Sequence, residues 1–197
     1  MKTFYLVRHG IYENPLNMLP GRLPVRLSPE GIEQSHRLKE YFAGKSVRRI
    51  YCSPVLRCRQ TAEIMSGGRI PMTTDIRLAE TLSAYQGMCY QGEQDPREFY
   101  NHRKELGGES FEDLVARTVP VFREIDSRET GNVIICSHSA PLLAMQLGAT
   151  DSPLDDELRA YGGFRDPRHL EKGSIRPLEI EGNSITVLGM VLQKDLM

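Results

Sequence analysis

No run of apolar residues in this chain approaches the ~20 that a membrane-spanning helix needs, and its four cysteines contain no CxxC pair. The first absence sets the expectation of no membrane partner. No secretory signal precedes the cysteines, and Cys52, Cys58 and Cys136 lie in or beside predicted core strands and helices, where free cysteine acts as a small hydrophobe. The expected setting is therefore reduced and cytoplasmic. A surplus of one charge is also missing: 25 basic against 26 acidic residues leave a formal net charge of −1. Such a chain is not built as a whole to seek nucleic acid or anionic membrane, and any positive field must be local. Repeats and low-complexity tracts are absent too. What remains is an ordinary globular composition in 197 residues, 40% hydrophobic and 26% charged, enough for one domain over 1–197 with a substantial core. Oligomeric state is not readable from it.

The stretch Leu6-Val7-Arg8-His9-Gly10 organises the rest. Thr3 to Val7 are β-branched, aromatic and aliphatic, as in a buried strand, and Gly10 is expected to supply the backbone angles of a sharp exit. Two other places repeat the pattern of apolar strand, small residue and helix. Arg49 to Cys52 precede Ser53-Pro54, where Ser53 reads as an N-cap and Pro54 as the first helical residue, so that Arg57 falls in the first turns. Asn132 to Cys136 precede Ser137-His138-Ser139, where a helix opens again. Ligands of open α/β sheets bind beyond the carboxyl ends of the strands. Arg8, His9, Arg57 and His138 are thereby offered to one site.

That set has a definite chemistry. Two guanidinium forks match phosphate oxygens, and an imidazole between them has its protonated form disfavoured. A neutral histidine whose other nitrogen is held by a carbonyl is a nucleophile toward phosphorus. His138, if protonated beside the same phosphate, would stabilise the transferring oxygens.

The motifs Arg8-His9-Gly10, Ser53-Pro54-x-x-Arg57-Cys58-x-Gln60-Thr61-Ala62, Gly108-Glu109-Ser110 and Ser137-His138 resemble those of the histidine phosphatase (phosphoglycerate mutase-like) superfamily, over residues 3 to about 190. The resemblance implies a three-layer α/β/α sandwich with a mostly parallel central sheet. It also implies His9 as the phosphorylated nucleophile, Arg8 and Arg57 as the phosphate clamp, and His138 as the second histidine of that pocket. Glu80, in Arg77-Leu78-Ala79-Glu80, matches the family's general acid and base, and Asn14 stands near its phosphate-binding asparagine. Ile11-Tyr12 depart from the acidic and hydroxyl residues common there, and Thr81-Leu82 from the basic residues that follow the glutamate in mutases. The expected activity is metal-independent hydrolysis of a small phosphate ester through phosphohistidine, with no cofactor. A phosphoglycerate-type mutase and a non-catalytic phosphate-binding module are the alternatives. A metal held by His9, Glu80 and His138 is disfavoured by the arginines beside them.

The remaining pattern is coarser. Ser28-Pro29 opens a helix that closes at Gly44, Gly67-Gly68 ends the second helix, and Ile70 to Thr74 form a short strand. Ser110 caps a helix that Pro120 should kink, and a helix from Pro141 should stop at Gly148. Ile175–Ile180 and Ser184–Val191 read as a hairpin at the sheet edge, where Pro177 is tolerated. Residues 81–107 and 149–173 are the two irregular segments. The first suits a substrate lid or a surface insertion equally. The second carries a basic run, Arg159, Arg165, Arg168, His169 and Lys172, which is either a solvated face or a seat for a second anionic group on the substrate. His36, His102 and His169 are expected at the surface, and Glu109 and Arg117 in structural roles. Arg22, in the loop after the first strand, is either solvated or in reach of substrate.

Overall fold

A computed structural model describes residues 1–89, 106–161 and 166–196. Six strands form one sheet in the order β3-β2-β4-β1-β5-β6, with β1 at Lys2–Arg8, β2 at Val47–Cys52, β3 at Met72–Thr74, β4 at Asn132–Ser137, β5 at Ile175–Glu181 and β6 at Ser184–Val187. The first four pair in parallel, and β5 and β6 add antiparallel at one side. The strands are apolar on both faces because helices cover both. Phe4 and Leu6 of β1 and Val133 and Ile135 of β4 point to one core, where α3 (Phe111–Arg128) and α4 (Ser139–Ala149) pack. The alternate residues Tyr5, Val7, Ile134 and Cys136 point to the other, under α1 (Pro29–Ala43) and α2 (Leu56–Ser66). Period-two side chains thus divide the interior into two layers, each sealed by a helix pair.

Connectivity explains where a site can form. From β1 the chain leaves through α1 on one face, whereas from its neighbour β4 it leaves through α4 on the other. A crevice opens between strand ends whose helices diverge. Register places Arg8 opposite Ser137 and Cys52 opposite Cys136, so His9, Ser53 and His138 emerge side by side at its floor.

Several expectations change on contact with the fold. Gly10 does not have a left-handed φ. It is small because a β-carbon there would lie 2.6 Å from the carbonyl oxygen of Gly31, and one on Gly31 would lie 1.9 Å from that of Ile11. The loop after β1 lies directly on the first turn of α1. Ser53 is not an N-cap: α2 begins at Leu56 with Val55 at the cap and no side-chain bond there, because the Ser53 hydroxyl is engaged elsewhere. Gly148 does not end α4, which runs to Ala149 with Thr150 as cap. It sits where a β-carbon would meet Val119 Cγ2 at 2.4 Å and Val115 Cγ1 at 2.9 Å, so it permits close approach of α3. The segment 149–173 is not wholly loop-like, since α5 spans Asp156–Tyr161 within it. Pro177 lies one strand in from the edge, where its carbonyl accepts from Leu188 N at 3.0 Å just beyond the β6 ladder that begins at Leu178. The caps at Ser28 and Ser110 and the left-handed stop at Gly67 are as expected, and Ser110 with Asp113 forms a reciprocal capping box.

Candidate active site

His9 leaves β1 with its ring wholly buried, and its Nδ1 lies 2.7 Å from its neighbour's carbonyl, Gly10 O. Only a protonated nitrogen can bond to a carbonyl, so Nδ1 carries the hydrogen and Nε2 keeps its lone pair. Arg57 Nε donates to that lone pair at 3.1 Å. Burial, then Arg57 and Arg8, hold the His9 pKa well below 6.5, so at neutral pH the ring is the uncharged base.

Arg57 is 1% exposed and reaches the crevice floor from the first turn of α2. Its Nη2 donates to Gly21 O at 2.8 Å and lies 3.0 Å from His138 Nδ1 and 3.4 Å from Glu80 Oε2. Its Nη1 is buried and has no hydrogen-bond partner among the described residues. A buried donor of a permanent cation is costly to leave open, and an anion in the pocket would satisfy it. Arg8, at the end of β1, donates from Nη1 to Leu170 O at 2.7 Å.

His138 is fully buried at the start of α4, its ring centre 5.1 Å from that of His9. Its Nε2 is 2.9 Å from Ser53 Oγ and 3.4 Å from Cys58 Sγ. A guanidinium only donates, so His138 Nδ1 accepts from Arg57 Nη2 at 3.0 Å and Nε2 carries the imidazole hydrogen. Ser53 Oγ then accepts from Nε2 at 2.9 Å and from Val55 N at 3.2 Å. Glu80 Oε2 lies 3.4 Å from both Arg57 Nη2 and His138 Nδ1. Burial first, then Arg57, His9 and Arg8, push the His138 pKa well below 6.5. In the empty pocket the ring is therefore neutral, whereas the expectation of a protonated His138 concerns the phosphate-bound site.

Glu80 follows a short 3-10 turn, Ile76–Leu78. Its Oε1 accepts from Thr81 N at 2.8 Å, and Arg22 Nε donates to its carbonyl at 2.7 Å. Glu109 organises this support, pairing with Arg22 and Arg117 and accepting from Leu82 N, while Arg117 also holds Ala79 O at 2.8 Å. Glu109, Arg117 and Arg22 therefore position the Glu80 segment, and Arg22 is spent there rather than on substrate. Asn14 lines the cavity, but its amide closes its own loop, accepting from Met18 N at 3.0 Å and donating to Met18 O at 2.9 Å.

The cavity measures about 500 Å³ and is lined by Arg8, His9, Arg57, Glu80 and, beyond the expected set, Tyr12 and Lys172. His169, expected at the surface, also lines it. Burial and Arg8 lower its pKa to about 4. Sequence offered no sign of this beyond its place in a basic run. Of the expected lid 81–107, Thr81 and Ser83 border the cavity, and Tyr90, Phe99, Tyr100, His102 and Arg103 lie outside the described residues. Atoms of His9, Glu80 and His138 approach within 4.8 Å of one another, as metal ligands do. Arg57 already stands on all three, so a cation there would face a guanidinium at contact distance, and the donor set suits an anion.

Comparison with known proteins bears on the family and the fold. The family model described as histidine phosphatase superfamily (branch 1) matches residues 4–191. An uncharacterized Mycobacterium tuberculosis protein is 29% identical over 160 residues, covering 76% of this chain and 79% of that one. A rat 6-phosphofructo-2-kinase/fructose-2,6-bisphosphatase is 35% identical over 153 residues, 71% of this chain but only 31% of that protein. YhfR of Bacillus stearothermophilus superposes with a TM-score of 0.78 at 25% identity over 95% of each chain. With its family model spanning nearly the whole sequence and its fold shared at that level, the chain belongs to branch 1 of the histidine phosphatase superfamily.

Proposed function

We propose that this phosphatase is a metal-independent phosphomonoesterase that hydrolyses a small phosphorylated metabolite through phosphohistidine at Nε2 of His9. The observation that carries the reading is the state of His9: neutral, held by Gly10 O through Nδ1, its Nε2 lone pair bonded among the described residues only by Arg57 Nε, which turns to a phosphate oxygen when the ester binds. In the first step Nε2 attacks phosphorus and the ester P–O bond breaks. Arg8 and Arg57 hold the equatorial oxygens as charge spreads over them, with His138 donating from Nδ1 once protonated beside the phosphate. Glu80 in its acid form gives its proton to the departing alkoxide. The resulting carboxylate then takes a proton from water, whose oxygen attacks phosphorus as the N–P bond breaks, releasing inorganic phosphate and neutral His9.

Asn14 is assigned to the cavity rim, where its closed amide shapes the loop beside the phosphate. Three buried free thiols, Cys52, Cys58 and Cys136, support a reducing, cytoplasmic setting, and no helix among the described residues is long and apolar enough to cross a membrane. The test is phosphate release from a panel of esters with chelator present, wild type beside His9→Ala. Release that persists in chelator and vanishes in the variant is expected. Release that depends on added metal, or that survives in a folded His9→Ala protein, overturns the mechanism.

A further inference from the structure

The segment Leu170–Ser174 crosses the mouth of the cavity as a strap fixed at many points. Arg8 Nη1 and Ser139 Oγ donate to Leu170 O, Gly173 N donates to Arg8 O and His9 O, and Gln193 Nε2 donates to Gly173 O at 2.6 Å. Gly173 has φ +74, and a β-carbon there would meet Gln193 Nε2 at 2.8 Å. This backbone fixes the position from which Lys172 enters the cleft.

The Lys172 ammonium lies 4.5 Å from the centre of the Tyr12 ring. Arg57 Cζ lies 5.3 Å from the same ring centre, and the His9 ring 5.6 Å. A half-buried ammonium therefore shares one aromatic ring with the phosphate clamp and the nucleophile. Its electrostatic neighbours are Arg8 and Arg57, which repel it, and Glu30, which attracts it. No carboxylate of the described residues stands within ion-pair distance of it. Arg57, by contrast, has Glu80 as a partner. On the same strap His169 lines the cavity with its Nε2 buried and without a hydrogen-bond partner. Crowding a third cation beside two guanidiniums without a counter-charge is unfavourable in the empty protein and is offset by an anion that sits among them. In the proposed reaction the transferred phosphoryl group engages Arg8 and Arg57.

We propose that Lys172, with Nε2 of His169, forms a second anion subsite in the cleft, so that the substrate is a small phosphate ester carrying a further negative group, a carboxylate or a second phosphate. The inference deepens the proposed function and rests on its placing of the transferred phosphate at His9. Tyr12 becomes the spacer between the two charges.

Two series of probes test it. Hydroxyalkyl phosphates of two to four carbons serve as the singly anionic reference. The matched series replace the terminal CH2OH by carboxylate or add a phosphate at the terminal oxygen. Wild type is expected to turn over at least one doubly anionic ester with kcat/KM about tenfold or more above its reference, and Lys172→Met to collapse that ratio, chiefly through KM. The chain length giving the largest ratio reports the spacing, and the two series distinguish carboxylate from phosphate. Calorimetric binding of the same esters to His9→Ala, with and without Lys172→Met, reads the subsite apart from chemistry. Absence of turnover in wild type with charge-selective, Lys172-dependent binding refutes the hydrolase reading alone. Equal binding of singly and doubly anionic esters, or a preference that survives Lys172→Met, overturns the subsite.

Discussion

Replacing Ser53 with alanine removes one oxygen atom behind His138 and leaves every group that faces substrate in place. The hydroxyl accepts from the Nε2–H of His138 at 2.9 Å, which holds the ring and favours its protonated form beside a phosphate. Without it, Cys58 Sγ at 3.4 Å is the remaining acceptor for Nε2, and the protonated ring that would donate from Nδ1 to the transferring oxygens is disfavoured. The pocket then loses one donor to those oxygens. Loss of a single preorganised donor of this kind costs about 100-fold in kcat. Exchange of a hydroxyl bond for a weak thiol contact inside the protein costs about 1–3 kcal/mol of stability, at about 2–4 °C in Tm per kcal/mol for a chain of this length.

The pH dependence separates this account from simple loss of packing. Groups acting on His138 are Arg8 and His9 from β1, Arg57 and Cys58 from α2, Glu80 from its loop and Arg117 from α3, and together with burial they keep the ring neutral at pH 7. In the variant the ring protonates beside a phosphate only at lower pH than in wild type, so the ratio of variant to wild-type kcat should rise as pH falls. Nitrogen-15 shifts of His138 read its protonation independently. A folded Ser53→Ala protein with wild-type kcat and an unchanged pH ratio would refute the reasoning.

Three further outcomes are expected. His9→Ala should lose at least about 1000-fold in turnover while its melting curve stays cooperative, and quenched wild-type reactions should show phosphate on His9 that the variant lacks. His9, His138 and His169 all have folded pKa values below the unfolded 6.5, so the unfolded chain binds more protons. Their contribution is therefore complete above about 6.5 and is lost as pH falls from there toward about 4, the His169 value, with each adding up to about 1.4 kcal/mol per pH unit. A Tm unchanged between pH 7 and 5 would contradict this. Gly148→Ala drives a methyl against Val119 and should cost about 1–3 kcal/mol, and Val119→Ala should recover part of that in thermal melts, since it removes the atom 2.4 Å away.

The sequence by itself determined the main elements and which side chains meet at the crevice floor. Strands such as Phe4–Val7 and Val133–Cys136 are apolar at every position, a pattern that parallel strands covered on both faces need. The caps at Ser28 and Ser110 are local hydrogen bonds written in three or four residues. Arg8, His9, Arg57 and His138 were legible because each directly follows such a strand or begins the helix after it, and a strand's direction fixes where its last residue goes. Tertiary structure decided what depends on partners far away in sequence. Ser53 looked like a cap because a cap needs only its own helix, but its hydroxyl bonds to a histidine 85 residues on. Gly148 looked like a stop because its need for smallness comes from Val119 on another helix. Gly10 was small for the sake of Gly31 and not for its own dihedral angles. His169 and Lys172 read as a solvated basic run because nothing local shows a strap being pinned across a cavity by Arg8, Ser139 and Gln193. Local sequence records local hydrogen bonding and burial period, whereas close approach and charge crowding arise only when separate segments share one space.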